Sequence, residues 1–278
     1  MNNVTTIRAL TSFLALSLMS ACGQQAAEPA LADSGAKPEA AATSEAAPQP
    51  SVYESALANE LRPEADRARD EGRKPGDVLE FLGIGPGMSV LDMFSGGGWY
   101  AEVIAHVVGE HGRVVAHSNQ AYKAFVGDAL EERFNSGRLP QAEILMAENN
   151  QMTLETDSLD AVMLGLAYHD VYNDDAEGGW ELIDGPAFLA ELKKGLKPGG
   201  IIAVIDHYAD AGAPPETGNT LHRIDPALVI ANMEAAGFVL DGQSDILRNA
   251  DDDHSQIVFA PDLRGKTDRF IMRFRNPQ

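Results

Sequence analysis

The sequence predicts a doubly wound α/β fold, with a mainly parallel sheet and helices on both faces. Beyond Ser51, segments with the period of strands alternate with segments that have the period of helices. One short apolar strand runs directly into a glycine-rich turn that opens a helix. Two further strand-like segments close the chain. These elements account for residues 51–278 as one domain.

The periods place the elements in order along the chain. Helices are expected at about residues 53–73, 77–82, 98–108, 122–134, 186–196 and 226–236, and the last is expected to end at Gly237. The helix at 98–108 gathers its large apolar side chains on one face, as a helix packed on a sheet must. Strands are expected at residues 89–93, 113–117, 144–147, 159–166, 201–205, 238–247 and 270–274, with a turn at 197–200 before the uniformly apolar fifth strand.

The N-terminus predicts export. Arg8 precedes an apolar run from Ala9 to Met19 that is too short to cross a bilayer, so residues 1–22 are expected to be a signal peptide. The run Met19-Ser20-Ala21-Cys22 resembles the lipobox of bacterial lipoproteins, in which the cysteine is acylated. We therefore expect a lipid anchor on Cys22 at the periplasmic face of the envelope. Gly23 favours the outer membrane by the same resemblance, and an ordinary secretory signal is the alternative.

Composition sets the limits on the remaining chain. Residues 23–50 are rich in Ala, Pro, Glu and Ser and hold few large apolar side chains, which predicts a disordered tether. Cys22 is the one cysteine of the sequence, so the fold is expected to form without an intrachain disulfide. Asp and Glu number 42 against 21 Lys and Arg, a net charge of -21, which disfavours nucleic acid as a partner.

The strongest motif is the run from Val90 to Gly98, in which a buried strand meets a glycine-rich turn at a helix N-terminus. Backbone without Cβ atoms allows a ligand to approach closely, and the first N–H groups of the helix favour an anion. The candidate binding residues are Asp92, Ser95, Gly96, Gly97 and Gly98. The alternative is that these glycines only allow the helix and the strand to pack closely.

Downstream segments make the chain resemble the class I S-adenosylmethionine-dependent methyltransferases from about residue 75 to 274. The resemblance implies a Rossmann-like methyltransferase sheet, mostly parallel, whose last two strands form a C-terminal antiparallel hairpin. It also implies S-adenosylmethionine as the cofactor, with Asp92 and the glycines around its methionine end. Glu148 and Asn149 stand where the family accepts a hydrogen bond from the adenine amino group. A poorly characterised group of predicted methyltransferases with signal peptides shares the run at residues 96–100 and the tail at 264–270.

Two departures from the family pattern bear on cofactor binding. Phe94 replaces the first glycine of the usual turn, and Ser118-Asn119 stands where an acidic residue holds both ribose hydroxyls. Asn119 forgoes a charge-assisted hydrogen bond, so weaker cofactor binding is expected. The alternative function is a noncatalytic, lipid-anchored protein that binds a small ligand and retains the methyltransferase fold.

Polar residues after the fourth and fifth strands are the candidates for catalysis, because ligands of open α/β sheets lie at the carboxyl ends of the strands. They are His169 and Asp170 after one strand and Asp206 and His207 after the next. We expect His169 to take a proton from the methyl acceptor, with Asp170 or Asp206 orienting its ring. Hydrogen-bonded support of the loops is the alternative role. The acceptor is expected to be a small molecule or an envelope component.

Other motifs are less specific. His106, His111 and His117, and the cluster at residues 251–254, match no metal template and are expected to be surface polar groups. Gly265-Lys266-Thr267 lacks the first glycine of a phosphate-binding loop and is expected to lie in solvent. His222-Arg223 is expected to add a cation to the candidate site, and the alternative is that Arg223 pairs with one of its aspartates. A dinucleotide-dependent dehydrogenase is excluded because neither its glycine pattern nor its ribose-binding acid is present.

Overall fold

The computed structural model describes residues 49–278, in which seven strands form one sheet in the order β3-β2-β1-β4-β5-β7-β6. Strands β1 to β5 are parallel, and β7 pairs antiparallel with both β5 and β6. The predicted parallel sheet and the C-terminal hairpin are therefore confirmed. The strand bounds are β1 Ser89–Met93, β2 Arg113–Ser118, β3 Ala142–Met146, β4 Leu159–Gly165, β5 Leu196–His207, β6 Val239–Ser244 and β7 Arg269–Arg275.

Helices cover both faces of this sheet. Their bounds are α1 Val52–Leu57, α2 Glu64–Arg67, α3 Asp70–Arg73, α4 Pro75–Leu82, α5 Trp99–Val108, α6 Gln120–Val126, α7 Ala129–Asn135, α8 Gly185–Gly195, α9 Thr217–Leu221 and α10 Pro226–Ala235, with short 3₁₀ helices at Asn149–Gln151 and Tyr168–Tyr172. Alternate residues of each central strand enter two separate apolar clusters, one containing side chains of α4 and α5 and the other side chains of α8 and α10. None of the helices within residues 49–278 is long and apolar enough to cross a bilayer.

Two predicted helices are broken in the structure. The segment 53–73 forms three short helices, because Pro63 begins α2 after a turn and Arg62 is buried there in a bidentate pair with Asp70, at 2.7 Å for both contacts. The segment 122–134 divides at Gly127, whose φ of 65° ends α6. The broken segment at 53–73 brings arginines to the carboxyl end of the sheet, and the second break turns α7 across the glycine-rich turn.

The turn predicted at 197–200 lies inside the long strand β5 as a bulge, where the register with β4 shifts between Leu159 and Ala161. Gly199 lies in this bulge and has φ of 80°, as a glycine in a tight turn can adopt. At the end of α10, Gly237 also has φ of 80°, as expected for a helix terminus. The signal peptide, Cys22 and nearly all of the predicted tether lie outside the described residues.

Candidate functional site

The glycine-rich turn joins β1 to α5 and has two distinct parts. Gly98 has φ of 76°, and a Cβ atom there would lie 2.8 Å from Leu130 Cδ1, so this glycine is required by the packing of α7. Gly96 and Gly97 instead line a cavity of about 490 Å³. A Cβ atom on Gly97 would meet no atom closer than Ala129 Cβ at 3.6 Å. Gly98 therefore allows close packing of the helix, whereas Gly96 and Gly97 leave space for a ligand, so the two explanations apply at different positions.

This cavity lies at the carboxyl ends of β1, β4 and β5. Its lining includes His169 and Asp170 after β4, His207 at the end of β5, part of the glycine-rich turn, and Arg69 and Arg73 of the broken N-terminal segment. The predicted residues among its lining are Asp92, Ser95, Gly96, Gly97, His169, Asp170 and His207. The sheet therefore brings the candidate cofactor-binding turn and the candidate catalytic residues to one place.

Asp92 is buried at the end of β1, where its Oδ2 accepts a hydrogen bond of 2.5 Å from the Ser95 hydroxyl. Burial raises the pKa of Asp92 to about 7, although the hydrogen bonds from Ser95 and the Ala101 backbone and the charge of Arg73 oppose that change. A bound ligand with a positive charge would favour the ionised form of this carboxyl. The amino group of an amino acid is a ligand of that kind.

Arg73 supplies a cation at the same cavity. Its guanidinium carbon lies 4.5 Å from the centroid of the Trp99 ring and 5.5 Å from that of Tyr100. Burial lowers the pKa of Arg73 to about 10, so the side chain remains protonated at neutral pH. In a chain with a net charge of -21, this cation is suited to a carboxylate on the ligand. Arg73 was not among the predicted site residues, because four arginines stand within residues 62–73 and only the fold selects between them.

The three residues expected at the ribose and adenine form a cluster beside the cavity instead of lining it. Asn119 Oδ1 accepts from the Tyr122 backbone as the N-cap of α6, and Asn119 Nδ2 donates to Asn149 Oδ1, both at 2.8 Å. Glu148 accepts from the Gln120 backbone at 3.2 Å. The expected contacts of Asn119, Glu148 and Asn149 with the nucleoside stay predictions.

An aromatic cluster of Phe94, Tyr122 and Trp180 lines the cavity, with centroid separations of 5.4 to 6.1 Å. Phe94, which replaces a glycine of the family turn, has φ of 53°. Within residues 49–278, Asn149 Nδ2 and Trp180 Nε1 are buried without a hydrogen-bond partner. Buried donors of this kind indicate a ligand that accepts hydrogen bonds, so the residues present fit a cofactor with an amino-acid end and a nucleoside end.

Asp206 orients His169. The fully buried Asp206 carboxylate accepts from the His169 ring Nδ1 and from the His169 backbone, both at 2.8 Å, and from the His207 backbone at 2.8 Å. Asp170 lies on the other side of the ring, with Oδ1 3.4 Å from His169 Nε2. Of the two aspartates proposed for this task, Asp206 therefore holds Nδ1, and Nε2 points to the cavity.

The imidazoles of His169, His207 and His222 have pKa values that are shifted in different directions. Burial lowers the pKa of His169, but the carboxylates of Asp206 and Asp170 outweigh it and raise the pKa to about 9, so without a ligand this ring retains its proton near neutral pH. Burial and the charge of His169 lower the pKa of both His207 and His222. His222 Nδ1 lies 3.2 Å from His169 Nε2. The sequence suggested His222 for the site only together with Arg223 as a cation, and its contact with His169 was not predicted because 53 residues separate the two histidines.

Three expectations about other polar residues are wrong. Arg223 is fully buried and pairs with Asp252 at 2.9 Å, not with Asp170 or Asp206. Asp252, which was expected at the surface, is buried because its carboxylate pairs with the Arg223 guanidinium. Thr267, expected in solvent, is buried because its hydroxyl contacts His207 Nδ1 at 2.7 Å. His117, expected at the surface, is fully buried in β2 with Nε2 2.9 Å from the Ala147 carbonyl oxygen.

Comparisons with known proteins agree with this geometry. Residues 74–171 match the model of the protein-L-isoaspartate(D-aspartate) O-methyltransferase family. A ubiquinone/menaquinone biosynthesis C-methyltransferase of Hydrogenovibrio crunogenus is 29% identical over 130 residues, which are 46% of this chain and 46% of that relative. The chain thus matches about half the length of this curated relative.

Solved structures are similar over more of the chain. An S-adenosylmethionine-dependent methyltransferase from Aquifex aeolicus superposes with a TM-score of 0.55 and 26% identity, over 75% of this chain and 92% of that one. An arsenic(III) S-adenosylmethionine methyltransferase from Chlamydomonas reinhardtii has a TM-score of 0.50 and 19% identity, over 83% of this chain and 75% of that one, and supports the fold.

Proposed function

We propose that this chain is a class I S-adenosylmethionine-dependent methyltransferase and that it methylates a small molecule at the periplasmic face of the cell envelope. One observation supports the chemistry above all others. Gly96 and Gly97 of the turn after β1, and His169 and Asp170 after β4, line the same cavity. A methyl donor held at the turn would lie beside the polar groups that can hold an acceptor.

S-adenosylmethionine supplies an activated methyl group, so the chain mainly has to bind and align the two reactants. Asp92 and Arg73 carry opposite charges at the turn and would hold the amino and carboxylate groups of the methionine end. Gly96 and Gly97 leave room for that end to approach the backbone. His169, fixed by Asp206, presents Nε2 to the acceptor and orients it.

A second candidate function is supported by Asn119. The family places an acidic residue there, whereas Asn119 is 4% exposed and caps α6. Loss of the charge-assisted bond to the ribose would suit a protein that binds a ligand without turnover. This alternative keeps the cavity and the cofactor contacts of the turn but predicts no transfer of the methyl group.

Transfer of a labelled methyl group separates the two functions. The full chain is incubated with methyl-labelled S-adenosylmethionine and an envelope extract, and labelled products are counted for wild type, His169→Ala and His207→Ala. We expect transfer by wild type and a loss of about a hundredfold in His169→Ala. Loss in His207→Ala alone would move the orienting role to β5. No transfer by wild type, with the cofactor still bound, would establish the noncatalytic alternative.

The envelope location is proposed on the lipobox ending in Cys22 and the tether that follows it. Cys22→Ser is the direct test, measured by membrane fractionation and by mass spectrometry of the N-terminal peptide. Wild type is expected in the outer-membrane fraction with a lipid mass, and the variant is expected as an unacylated precursor or a soluble product. The same modification and fractionation in both proteins would contradict the anchor.

A further inference from the structure

His169, Asp170 and His222 converge on one point at the wall of the cavity. One ligand atom from each of the three residues lies within 4.8 Å of those of the other two. His169 Nε2 is 3.2 Å from His222 Nδ1 and 3.4 Å from Asp170 Oδ1. His169 and Asp170 belong to the 3₁₀ helix after β4, whereas His222 follows α9. Their separation along the chain matches no sequence template for a metal.

Each of these side chains is held by a contact on the side away from the convergence point. Asp206 accepts from His169 Nδ1, which leaves Nε2 directed at the other two residues. The Tyr122 hydroxyl donates to Asp170 Oδ2 at 2.6 Å, which leaves Oδ1 facing them. Histidine ligands of metals are commonly oriented by such a carboxylate, and carboxylate ligands by such a hydrogen bond.

His222 is held by its backbone and by an aromatic neighbour. It has φ of 55°, the left-handed conformation that few non-glycine residues adopt. Its ring lies 4.8 Å from that of Phe259. A hydrogen bond between the His169 and His222 imidazoles would explain only why these two rings approach each other. It would not account for the carboxylate oxygen that is directed at the same point.

The charges favour a cation at this point. Asp170 and Asp206 are both buried, and in the described part of the chain His169 is the one basic side chain that pairs with either of them. Two buried carboxylates that face imidazole nitrogens are an environment that stabilises a divalent ion.

We propose that His169, Asp170 and His222 bind one divalent transition-metal ion. Two imidazole nitrogens and one carboxylate oxygen form a three-residue ligand set of the kind that leaves positions open for another molecule. The open positions would face the cavity that contains the glycine-rich turn.

The catalytic use of this ion rests on the proposed function. A hydroxyl or thiol of the acceptor would bind at the open position, where the ion lowers its pKa and its proton passes to water. The acceptor oxygen or sulfur would then form the bond to the methyl carbon. The carbon–sulfur bond of the cofactor breaks with its electron pair left on sulfur, so the sulfonium becomes a neutral thioether. The acceptor is therefore expected to be an alcohol, phenol or thiol.

The test is metal binding by the full chain, prepared without a histidine tag and freed of metal with a chelator. Zinc is titrated by calorimetry, and cobalt is followed by its visible absorption. We expect one ion per chain, with an affinity that falls by about tenfold or more in His222→Ala and in Asp170→Asn. His254→Ala is the matched control, because His254 contacts Asp210 and Asp268, both at 3.1 Å, outside the proposed site. Thermal unfolding establishes that each variant is folded.

Absence of stoichiometric binding by wild type, or unchanged affinity in folded His222→Ala and Asp170→Asn, would overturn the metal site. A loss in His254→Ala alone would also overturn it. The titration contains no S-adenosylmethionine, so its outcome does not depend on methyl transfer. Conversely, normal metal binding without labelled product would contradict the proposed function and leave the metal site supported.

Discussion

Asp206 accepts two hydrogen bonds from His169, one from the ring Nδ1 and one from the backbone N–H, both at 2.8 Å. The pair joins the ends of β4 and β5 and fixes the direction of Nε2. Removing one partner of a buried pair leaves the other without compensation. We therefore predict that Asp206→Asn lowers the free energy of unfolding by about 3 kcal/mol, measured by denaturant titration.

Asp253→Asn is the control for this variant, because Asp253 is exposed and bonds only to its neighbour Ser255. It is expected to leave the free energy of unfolding nearly unchanged. Equal effects of the two substitutions would mean that the Asp206 and His169 pair does not stabilise the fold.

Gly98 is predicted to be a packing glycine. Gly98→Ala would place Cβ 2.8 Å from Leu130 Cδ1 and 3.1 Å from Phe134 Cε2. Gly83 is a matched control, since its φ and ψ of 75° and 22° nearly equal the 76° and 24° of Gly98, and no atom lies within 4 Å of its Cβ position. Gly98→Ala should therefore cost about 1–3 kcal/mol more than Gly83→Ala in thermal or denaturant unfolding.

A smaller or reversed difference between these two variants would show that the contact with α7 does not require glycine at position 98. The backbone cost of a left-handed alanine is common to both, so the comparison isolates the packing contact.

The stability of the fold is predicted to depend on Asp92 between about pH 4 and pH 7. Burial raises the pKa of Asp92 from 3.8 to about 7, so in this range the folded chain holds a proton that the unfolded chain has released. The contribution of Asp92 to stability is present below about pH 4 and is lost as pH rises through about 7, with a slope approaching about 1.4 kcal/mol per pH unit.

Asp92→Asn removes this titration. The difference in unfolding free energy between the variant and wild type, measured at several pH values, should therefore move in favour of the variant as pH rises over that range. Ser95→Ala, which removes a hydrogen bond to the ionised form, is expected to keep the slope. A constant difference between Asp92→Asn and wild type would contradict the raised pKa.

Arg73 is predicted to bind the carboxylate of the cofactor. Arg73→Gln should weaken S-adenosylmethionine binding by about tenfold, the effect of losing one charge-assisted interaction. Decarboxylated S-adenosylmethionine should bind wild type about tenfold less tightly than the intact cofactor and should bind Arg73→Gln and wild type equally. Arg113→Gln is the control, because Arg113 is exposed and pairs with Glu143. If the losses of affinity from Arg73→Gln and from decarboxylation of the cofactor add, the carboxylate of the cofactor binds at another position.

The parts of the fold that sequence analysis predicted are those fixed by local patterns. The bounds of β1 match the prediction because a short, almost fully buried strand ends at an obvious turn, and Gly237 terminates α10 because a left-handed residue is needed there. The break at Gly127 was not predicted, since an isolated glycine is compatible with a helix.

The candidate site was predicted only in its local parts. Strand ends identified His169, Asp170, Asp206 and His207, because parallel strands deliver such residues to one edge of a sheet. Arg73 and His222 come from short helices elsewhere in the chain, and only tertiary packing brings them to the cavity. The hydrogen bonds of the Asn119 side chain with the Tyr122 backbone and with Asn149 could not be predicted either, since they depend on the orientation of α6.

The most direct test of the central claim is equilibrium binding of S-adenosylmethionine to the full chain, read as a shift in thermal unfolding. At about a hundred times the dissociation constant, the cofactor should stabilise wild type by about 2.7 kcal/mol. Gly97→Val should abolish the shift, because Gly97 lines the cavity, and Gly85→Val should retain it, because no atom lies within 4 Å of the Gly85 Cβ position. No shift for wild type at millimolar cofactor, or equal shifts for wild type and Gly97→Val, would contradict the assignment of the glycine-rich turn as the cofactor site.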